Sequence, residues 1–324
     1  MSIHDPAALP RLLDTAAALR LQSERWRAAG LSVGLVPTMG ALHAGHRSLV
    51  ARARAECDRV VASIFVNPRQ FTAEDDLARY PRTLSADLAA LGEEGVDAAF
   101  VPESGSMYPP GFATSVSVGG QLTHTLEGAC RPGHFAGVAL VVAKLLVAAR
   151  ADRAYFGAKD AQQCAVVRRL AEDLDTGTQI VVCPTVRDAD GLALSSRNVH
   201  LSVGERAQAL ALPEGLAAAA RLLAAGERDA SALAGAAAAV LALSPGLAVE
   251  YVAVVDPDSF EPVGRVTGQA RILVAARIGR TRLIDTLCLG AEPPPTTAFD
   301  VGTTTSESAE ARSAGRSRTC SVPS

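Results

Sequence analysis

Short, continuous apolar segments alternate with longer helical patterns over the first 186 residues, and this alternation limits the fold more than any other feature. The apolar segments, which we predict to be strands, cover residues 31–37, 59–66, 95–102, 152–157 and 178–186. Strands that are apolar on both faces and separated by helices are typical of a parallel sheet covered by helices on both sides. We therefore predict an α/β fold, with a Rossmann-like parallel sheet, for a domain spanning residues 1–186.

Helical patterns fill the intervals between these strands. The predicted helices cover residues 8–28, 46–57, 75–92, 135–150 and 160–174. The helix over 135–150 is nearly all apolar, which predicts a position at the centre of the domain. Residues 103–133 are rich in Gly, Pro, Ser and Thr, and we predict a long functional loop there, with or without a hairpin.

The alternation stops near residue 187, where we predict that a second domain begins. Two Ala-rich helices are expected over residues 203–226 and 229–242. Three strands then follow, over residues 247–256, 270–279 and 281–290. This order predicts a smaller, lid-like α+β domain over residues 187–290. Residues 291–324 are rich in Ser, Thr and Pro and nearly lack aliphatic residues, so we predict a disordered tail.

Composition excludes several classes of partner. The chain of 324 residues has a net charge of −3, which provides no overall attraction for nucleic acid or an anionic membrane. Its six cysteines are scattered without a C-x-x-C pair, which favours free thiols in a reducing compartment. The chain has no apolar stretch of about 18 residues and no N-terminal signal pattern. We therefore expect a soluble cytoplasmic protein with no nucleic-acid or membrane partner.

Two histidines, His43 and His46, lie at the turn that follows the first predicted strand of the sheet. Ligands bind at the carboxyl ends of parallel strands, and the N-terminus of a helix attracts phosphate. Gly40 and Gly45 permit a close approach of the backbone. We predict that both imidazoles donate hydrogen bonds to the phosphates of a nucleotide. An ordinary surface helix start and a metal site formed by the two histidines are the alternatives.

Two further predicted strand ends carry groups that suit phosphates. The segment DGLALSSRN follows the last predicted strand of the first domain, and its Ser195, Ser196 and Arg197 suit a phosphate clamp. A polar turn that enters the second domain is the alternative. In the segment FGAKD, Lys159 supplies a positive charge for phosphates, whereas Asp160 suits a helix cap.

Neutral amides and one basic residue complete the set of candidates. Asn67 and Gln70 end the segment FVNPRQF, and Gln163 lies in the first turn of the helix after FGAKD. Arg131 and His134 open the apolar helix, where His134 is interpreted as a structural cap. The chain has no G-x-G-x-x-G motif and no clear Ser-His-Asp or Cys-His pairing, which favours a mononucleotide such as ATP over a dinucleotide.

Six segments, taken together and in this order, resemble the family of pantoate–β-alanine ligases, the pantothenate synthetases. The segments are PTMGALHAGH (37–46), SIFVNPRQF (63–71), YPRTL (80–84), RPGHFAGV (131–138), FGAKDAQQ (156–163) and DGLALSSRN (190–198). HAGH also resembles the His-x-Gly-His signature of the nucleotidyltransferase and class I aminoacyl-tRNA synthetase superfamily. The resemblance extends from about residue 30 to residue 290.

The resemblance implies an ATP-dependent ligase of pantothenate and coenzyme A biosynthesis. Pantoate would attack the α-phosphorus of ATP to give pantoyl adenylate and pyrophosphate, and β-alanine would then displace AMP to give pantothenate. A homodimer is implied as well, and so is Mg²⁺ on the phosphates, with Asp87 as its protein ligand.

The resemblance also assigns residues to roles. The implied catalytic groups are His46, His43, Lys159 and Arg197. The implied ATP-binding residues are Met39, Gly40, Ala41, Leu42, His43, Ala44, Gly45, His46, Gly157, Ala158, Lys159, Asp160, Val186, Leu194, Ser195, Ser196 and Arg197. The implied pantoate and β-alanine residues are Gln70, Gln163, Asn67 and Arg131.

The chain departs from the family pattern at a few positions. These departures are Leu194, Ala158, Arg69, Ala86 and Ala90.

Two alternative functions remain open at this point. One is a nucleotidyltransferase that joins a nucleotide to a phosphorylated acceptor, which the extra positive charge of Arg69 favours. The other is a non-catalytic nucleotide sensor, suggested by Ala158, Leu194 and the unusual tail.

Overall fold

The computed structural model describes residues 9–72 and 74–295. The start of the first predicted helix, residue 8, lies outside the described residues. The same holds for the predicted disordered tail from residue 296 onward.

The described residues form nine strands in two sheets. The strands are β1 (Arg11–Leu13), β2 (Val33–Thr38), β3 (Arg59–Ile64), β4 (Ala98–Phe100), β5 (Arg153–Gly157), β6 (Gln179–Cys183), β7 (Leu247–Val255), β8 (Ala270–Ile278) and β9 (Thr281–Leu289). The first sheet is parallel, with the order β1-β4-β3-β2-β5-β6. The second is antiparallel, with the order β7-β8-β9.

Helices connect and cover the strands. The helices are α1 (Ala16–Ala28), α2 (Ala44–Glu56), α3 (Glu74–Arg79), α4 (Leu84–Glu93), α5 (Ser104–Met107), α6 (Gln121–His124), α7 (Glu127–Cys130), α8 (His134–Ala149), α9 (Ala161–Asp173), α10 (Val203–Ala209), α11 (Ala211–Ala224) and α12 (Ala230–Leu241). Short 3-10 turns lie at Pro68–Gln70, Ala158–Asp160 and Ser196–His200. Within the described ranges, none of these helices combines the length and the apolar character that crossing a bilayer requires.

The parallel sheet is buried on both faces, as its continuous apolar strands predict. Along β2 and β3, Leu35 and Val61 belong to the cluster that contains the residues of α8, on one side of the sheet. Their neighbours Val36 and Val60 belong to the cluster that contains the residues of α2, on the other side. Successive strand residues point to opposite faces, so a strand with a core on both sides must be apolar throughout. The predicted α/β sheet of the N-terminal domain is confirmed.

The smaller α+β unit is confirmed as well. The strands β7 to β9 pack against α11 and α12 around a core separate from the core of the first domain. Its fully buried side chains include Leu212, Leu216, Leu233, Ile272 and Ile278. The exact borders of the predicted domains, 1–186 and 187–290, stay predictions.

Two local predictions are wrong for identifiable reasons, and the question of a hairpin in residues 103–133 is answered. Residues 11–13 form an edge strand paired with β4, because hydrogen bonds to the sheet outweigh the local helical pattern of the predicted helix 8–28. Pro81 divides the predicted helix 75–92 into α3 and α4, since proline disfavours helical geometry in the residue before it. The segment 103–133 contains three short helices, α5 to α7, and no hairpin.

Helix α8 lies in very close contact with the turn Pro68–Gln70, and Gly137 makes this contact possible. A Cβ atom on Gly137 would lie 2.1 Å from the carbonyl oxygen of Arg69 and 2.7 Å from the amide nitrogen of Gln70. Both are backbone atoms, which cannot rotate away as a flexible side chain can. Only glycine therefore permits this packing.

We expect Gly137→Ala to lower the free energy of unfolding by about 1–3 kcal/mol, because the added methyl group must push α8 away from the turn. The matched control is Gly235→Ala in α12, where an added Cβ meets no atom within 4 Å. Alanine there is expected to stabilise the helix by about 0.5–1 kcal/mol. Urea unfolding of both variants measures the difference, and equal effects of the two substitutions would contradict the packing argument.

Candidate active site

A cleft opens at the carboxyl ends of β2, β3, β5 and β6. The strand order reverses between β2 and β5, since the chain leaves β2 toward β3 and leaves β5 toward β6. Such a switch point leaves a crevice that neither connection covers. The ends of all four strands contribute to its lining, through Thr38, Phe65, Gly157 and Pro184 among others.

Most of the predicted site residues line this one cleft. They are Met39, His43, Gly45, His46, Asn67, Gln70, Arg131, Gly157, Lys159, Asp160, Gln163, Val186, Leu194, Ser195, Ser196 and Arg197. The others lie beside it without lining it: Gly40, Ala41, Leu42, Ala44, Ala158 and Asp87.

His43 and His46 are held as a pair at the start of α2. The Nδ1 atom of His43 accepts a hydrogen bond from the backbone N–H of Gly45 at 3.2 Å. The Nδ1 atom of His46 accepts one from the backbone N–H of His43 at 3.3 Å, and the ring centroids are 4.1 Å apart. A backbone N–H can only donate, so the proton of each neutral imidazole lies on Nε2. Each ring therefore keeps one N–H donor for a ligand.

Both histidines are uncharged near neutral pH. Burial lowers the pKa of His43 to about 4, assisted by the positive charge of Lys159. Burial lowers the pKa of His46 to about 3, assisted by His43 and Lys159. Both rings are partly buried and accept hydrogen bonds from the backbone, which argues against an ordinary surface helix start. The alternative of a metal site finds no support in the described ranges, which contain no group of three or more potential His, Cys, Asp or Glu ligands.

Asp87, the predicted metal ligand, holds the loop before α2 instead of facing the cleft. Its carboxylate accepts hydrogen bonds from the backbone N–H groups of Ala41 at 3.1 Å and Leu42 at 2.8 Å. The hydroxyl of Thr83 donates to the same carboxylate at 3.2 Å. Its side chain is buried, and the oxygens are used by these donors. These contacts favour the role of a loop anchor over that of a metal ligand.

Gln70 is held at both its side chain and its backbone. Its side-chain oxygen Oε1 accepts from Nδ2 of Asn67 at 3.0 Å, and its Nε2 donates to Sδ of Met39 at 2.9 Å. Its backbone carbonyl accepts from Nδ1 of His134 at 2.7 Å and from Arg131 at 3.2 Å. The predicted structural role of His134 is therefore correct in kind. His134 donates to the carbonyl of Gln70, however, and makes no hydrogen bond to the N-terminal amides of its own helix.

Arg197, a predicted phosphate ligand, is paired with a carboxylate that the sequence reasoning missed. Its Nη2 and Nε donate to the two oxygens of Asp76 at 2.8 and 3.3 Å. Although burial opposes both charges, the pairing raises the pKa of Arg197 and lowers that of Asp76. Tyr80 lies against the same guanidinium, 5.9 Å from its ring centroid, and lines the cleft. The segment YPRTL was the available signal for Tyr80, whereas no sequence pattern marks Asp76.

The sequence reasoning also missed the apolar wall of the cleft. One face of α8 supplies most of it, together with the ends of β3 and β5. The wall residues are Phe65, Val138, Val141, Val142, Leu145 and Phe156. The nearly all-apolar composition of the helix predicted a central position but did not indicate that one face meets a ligand cleft.

Comparisons with known proteins identify the family. A family model described as pantoate-beta-alanine ligase matches residues 11–288. The chain is 55% identical over 274 residues to the pantothenate synthetase of Acidobacterium capsulatum. The match covers 85% of this chain and 91% of that relative.

Solved structures agree with this result. The pantothenate synthetase of Thermus thermophilus superposes with a TM-score of 0.80 at 47% identity, covering 86% of this chain and 98% of that one. A pantoate-beta-alanine ligase from Francisella tularensis, in complex with beta-gamma ATP and beta-alanine, superposes with a TM-score of 0.71 at 31% identity. That match covers 88% of this chain and 99% of the other.

The buried histidines predict how stability depends on pH. Burial, with the charge of Arg131, lowers the pKa of His134 to about 4. Between about pH 6.5 and pH 4 the unfolded chain therefore binds a proton at this residue that the folded chain does not. The free energy of unfolding must fall as the pH is lowered through this window, by about 1.4 kcal/mol per pH unit for each such histidine.

We expect His134→Gln to reduce this slope by about 1.4 kcal/mol per pH unit between about pH 5 and pH 6, as measured by urea unfolding. Glutamine retains an N–H donor for the carbonyl of Gln70. The control is His200→Gln, at an exposed position, which is expected to leave the slope unchanged. A variant at position 134 with the slope of the unmodified protein would show that His134 is protonated in the folded state.

Proposed function

The chain belongs to the pantoate–β-alanine ligase family, and from this premise we propose that it joins pantoate to β-alanine with the cleavage of ATP to AMP and pyrophosphate. The observation that carries the proposal is the convergence of two uncharged histidines, Lys159 and the Ser195–Arg197 segment on one cleft. These groups come from different strand ends, and all of them suit phosphate oxygens.

The first step needs charge stabilisation more than a base. The carboxylate of pantoate is already ionised, so it attacks the α-phosphorus of ATP directly, and pyrophosphate leaves. The Nε2–H groups of His43 and His46 donate hydrogen bonds to the phosphate oxygens as negative charge shifts in the transition state. Lys159 and Arg197 supply positive charge beside the phosphates.

Pantoate binding follows from the amides and the apolar wall. The side chains of Gln70 and Gln163 provide neutral hydrogen-bonding groups for the two hydroxyls of pantoate. Val138 and Val142 provide an apolar surface for its dimethyl carbon. Neutral amides bind the hydroxyls without forming an ion pair with the carboxylate, which stays free to attack.

In the second step the amine of β-alanine attacks the acyl carbon of pantoyl adenylate. A C–N bond forms from the neutral amine, the C–O bond to AMP breaks, and the proton lost by the amine nitrogen passes to solvent water. Arg131 lines the cleft and suits the carboxylate of β-alanine. Burial, with the charge of Arg197, lowers the pKa of Arg131 only to about 10, so it remains a cation.

Magnesium belongs to this proposal as an ion carried by ATP. Mg²⁺ in phosphate-transfer sites is commonly held by substrate phosphates with one or two carboxylates. Asp160 is the carboxylate that lines the cleft among the described residues, and no side-chain hydrogen bond caps a helix from it. When bound, the ion would neutralise phosphate charge. The site therefore fits such an ion without a dedicated protein cage.

The proposal also covers assembly and location. We include a homodimer formed through the N-terminal domain, supported by exposed apolar side chains on and beside α1, α8 and β1. These are Leu9, Leu12, Leu21 and Val147. A cytoplasmic location is supported by the unpaired cysteines of the described residues, which suit a reducing compartment.

The structure weakens the case for the two alternatives. Arg69 was the feature that favoured a phosphorylated acceptor, but it does not line the cleft. Ala158 is buried, so the departure there removes no exposed group from the cleft, and Leu194 lines it as an apolar side chain. A nucleotidyltransferase and a nucleotide sensor are both less well supported than the ligase.

The reaction is tested by pyrophosphate release and product mass. We expect pyrophosphate from ATP only when pantoate is present, and pantothenate with AMP only when β-alanine is added. A product that retains the nucleotide would identify a nucleotidyltransferase, and ATP binding without turnover of any acid would identify a sensor. Release of pyrophosphate without pantoate would contradict the ligase assignment.

The variant Asp87→Asn distinguishes between two roles for Asp87, a loop anchor and a metal ligand. The amide retains only one acceptor oxygen for the two backbone N–H groups, so we expect about a three- to tenfold rise in the KM for ATP. The Mg²⁺ concentration for half-maximal activity should stay the same. Ser85→Asn, at an exposed position of the same helix, is the control. A large shift in the Mg²⁺ requirement of the Asp87 variant would restore the metal-ligand assignment.

A further inference from the structure

Tyr108 directly follows α5, in the segment 103–133, and has no role in the mechanism above. Its side chain is half-buried and does not line the cleft. Its hydroxyl donates a hydrogen bond of 2.8 Å to Oδ1 of Asn67. Asn67 in turn contacts Gln70, so Tyr108 is connected to the cleft through one intervening residue.

Both the oxygen and the nitrogen of the Asn67 side-chain amide are hydrogen-bonded. Its Oδ1 accepts from Tyr108 and from the backbone N–H of Arg69 at 3.2 Å. Its Nδ2 donates to the carbonyl of Gly137 at 3.1 Å and to Oε1 of Gln70 at 3.0 Å. Two donors approach the oxygen and two acceptors approach the nitrogen, so the amide has only one satisfactory orientation.

This orientation determines which atom of the Gln70 side-chain amide is available to a ligand. Its Oε1 is used by Asn67, so its Nε2 is the end that remains for a ligand, near Sδ of Met39. A thioether is a weak acceptor, which a substrate hydroxyl can replace. Gln70 is therefore prepared as a hydrogen-bond donor before any substrate arrives.

Two neighbours hold the Tyr108 ring in place. The guanidinium of Arg69 lies 4.7 Å from its centroid, and Phe112 packs against it edge to face at 5.4 Å. Arg69 and Lys144 also lie over the Phe112 ring, at 5.1 and 4.9 Å. A cation on the face of an aromatic ring is attracted by its quadrupole. Arg69, which departs from the family pattern, thus contributes to the position of Tyr108.

The hydroxyl remains a donor at physiological pH. Burial raises the pKa of Tyr108 to about 12, and the positive charge of Arg69 only partly opposes this. The proton is therefore present to be donated to Asn67 across the working range of an enzyme.

We propose that Tyr108 is a positioning residue that acts through Asn67 to fix the Gln70 amide as a donor to a hydroxyl group of the acid substrate. The inference rests on the proposed function, since it takes pantoate as that acid. It extends the specificity-determining part of the molecule from the cleft lining to the segment 103–133, where Tyr108 lies behind the turn that carries Gln70.

Tyr108→Phe tests the proposal, because it removes only the hydroxyl. We expect the KM for pantoate to rise by about three- to tenfold, while the KM for ATP and the melting temperature stay close to those of the unmodified enzyme. The matched control is Tyr155→Phe. The hydroxyl of Tyr155 donates to Glu56 at 3.0 Å, away from the cleft, so pantoate kinetics should not change.

Deoxy analogues of pantoate distinguish positioning from a general loss of structure. In the unmodified enzyme and in Tyr108→Phe, we would measure the affinity for pantoate and, as KM or inhibition constant, for its 2-deoxy and 4-deoxy analogues. The penalty of the substitution should disappear for the analogue that lacks the hydroxyl bound by Gln70. The same penalty for all three acids, or none for pantoate, would overturn the proposal.

The unmodified enzyme separates this test from the test of function. If it forms no pantothenate, the proposed function fails before any variant is compared. If it forms pantothenate and the Tyr108→Phe penalty does not depend on a substrate hydroxyl, only the positioning role fails.

Discussion

β2 pairs in parallel with β3 on one side and with β5 on the other, and the rest of the site depends on this arrangement. The connections from the two central strands run in opposite directions, so they leave a crevice between them. Every parallel strand ends at this edge. Groups from distant parts of the chain, such as His46, Gln70, Lys159 and Arg197, therefore become neighbours without any special sequence spacing.

Burial and fixed charge together give the cleft its electrostatic character. Burial makes His43 and His46 uncharged donors, because removing an imidazole from water disfavours its charged form. Lys159 and Arg197 provide positive charge in the same cleft. A second set of residues keeps these groups in place: Asp87 anchors the loop before α2, and Asn67 and Tyr108 orient Gln70. Such support maintains a site at the accuracy that chemistry requires.

Much of the fold could be predicted, because its signals are local. Continuous apolar strands indicated a parallel sheet, and the loss of alternation near residue 187 indicated a second unit. The errors differ in origin. Arg11–Leu13 forms a strand only because β4 offers an edge, and no pattern within three residues records that edge. The borders of the helices on either side of Pro81 were predictable in principle, since proline acts locally.

The amino-acid sequence by itself determined which chemical groups the chain carries at its strand ends, and these groups predict phosphate binding. Only the tertiary structure decided which polar side chains pair with one another and which face the cleft. Asp76 pairs with Arg197, Asp87 accepts hydrogen bonds from the backbone of the loop before α2, and Tyr108 donates one to Asn67. Each contact joins residues more than 40 positions apart. Such hydrogen bonds depend on how packed elements meet in space, which no periodicity along the chain encodes.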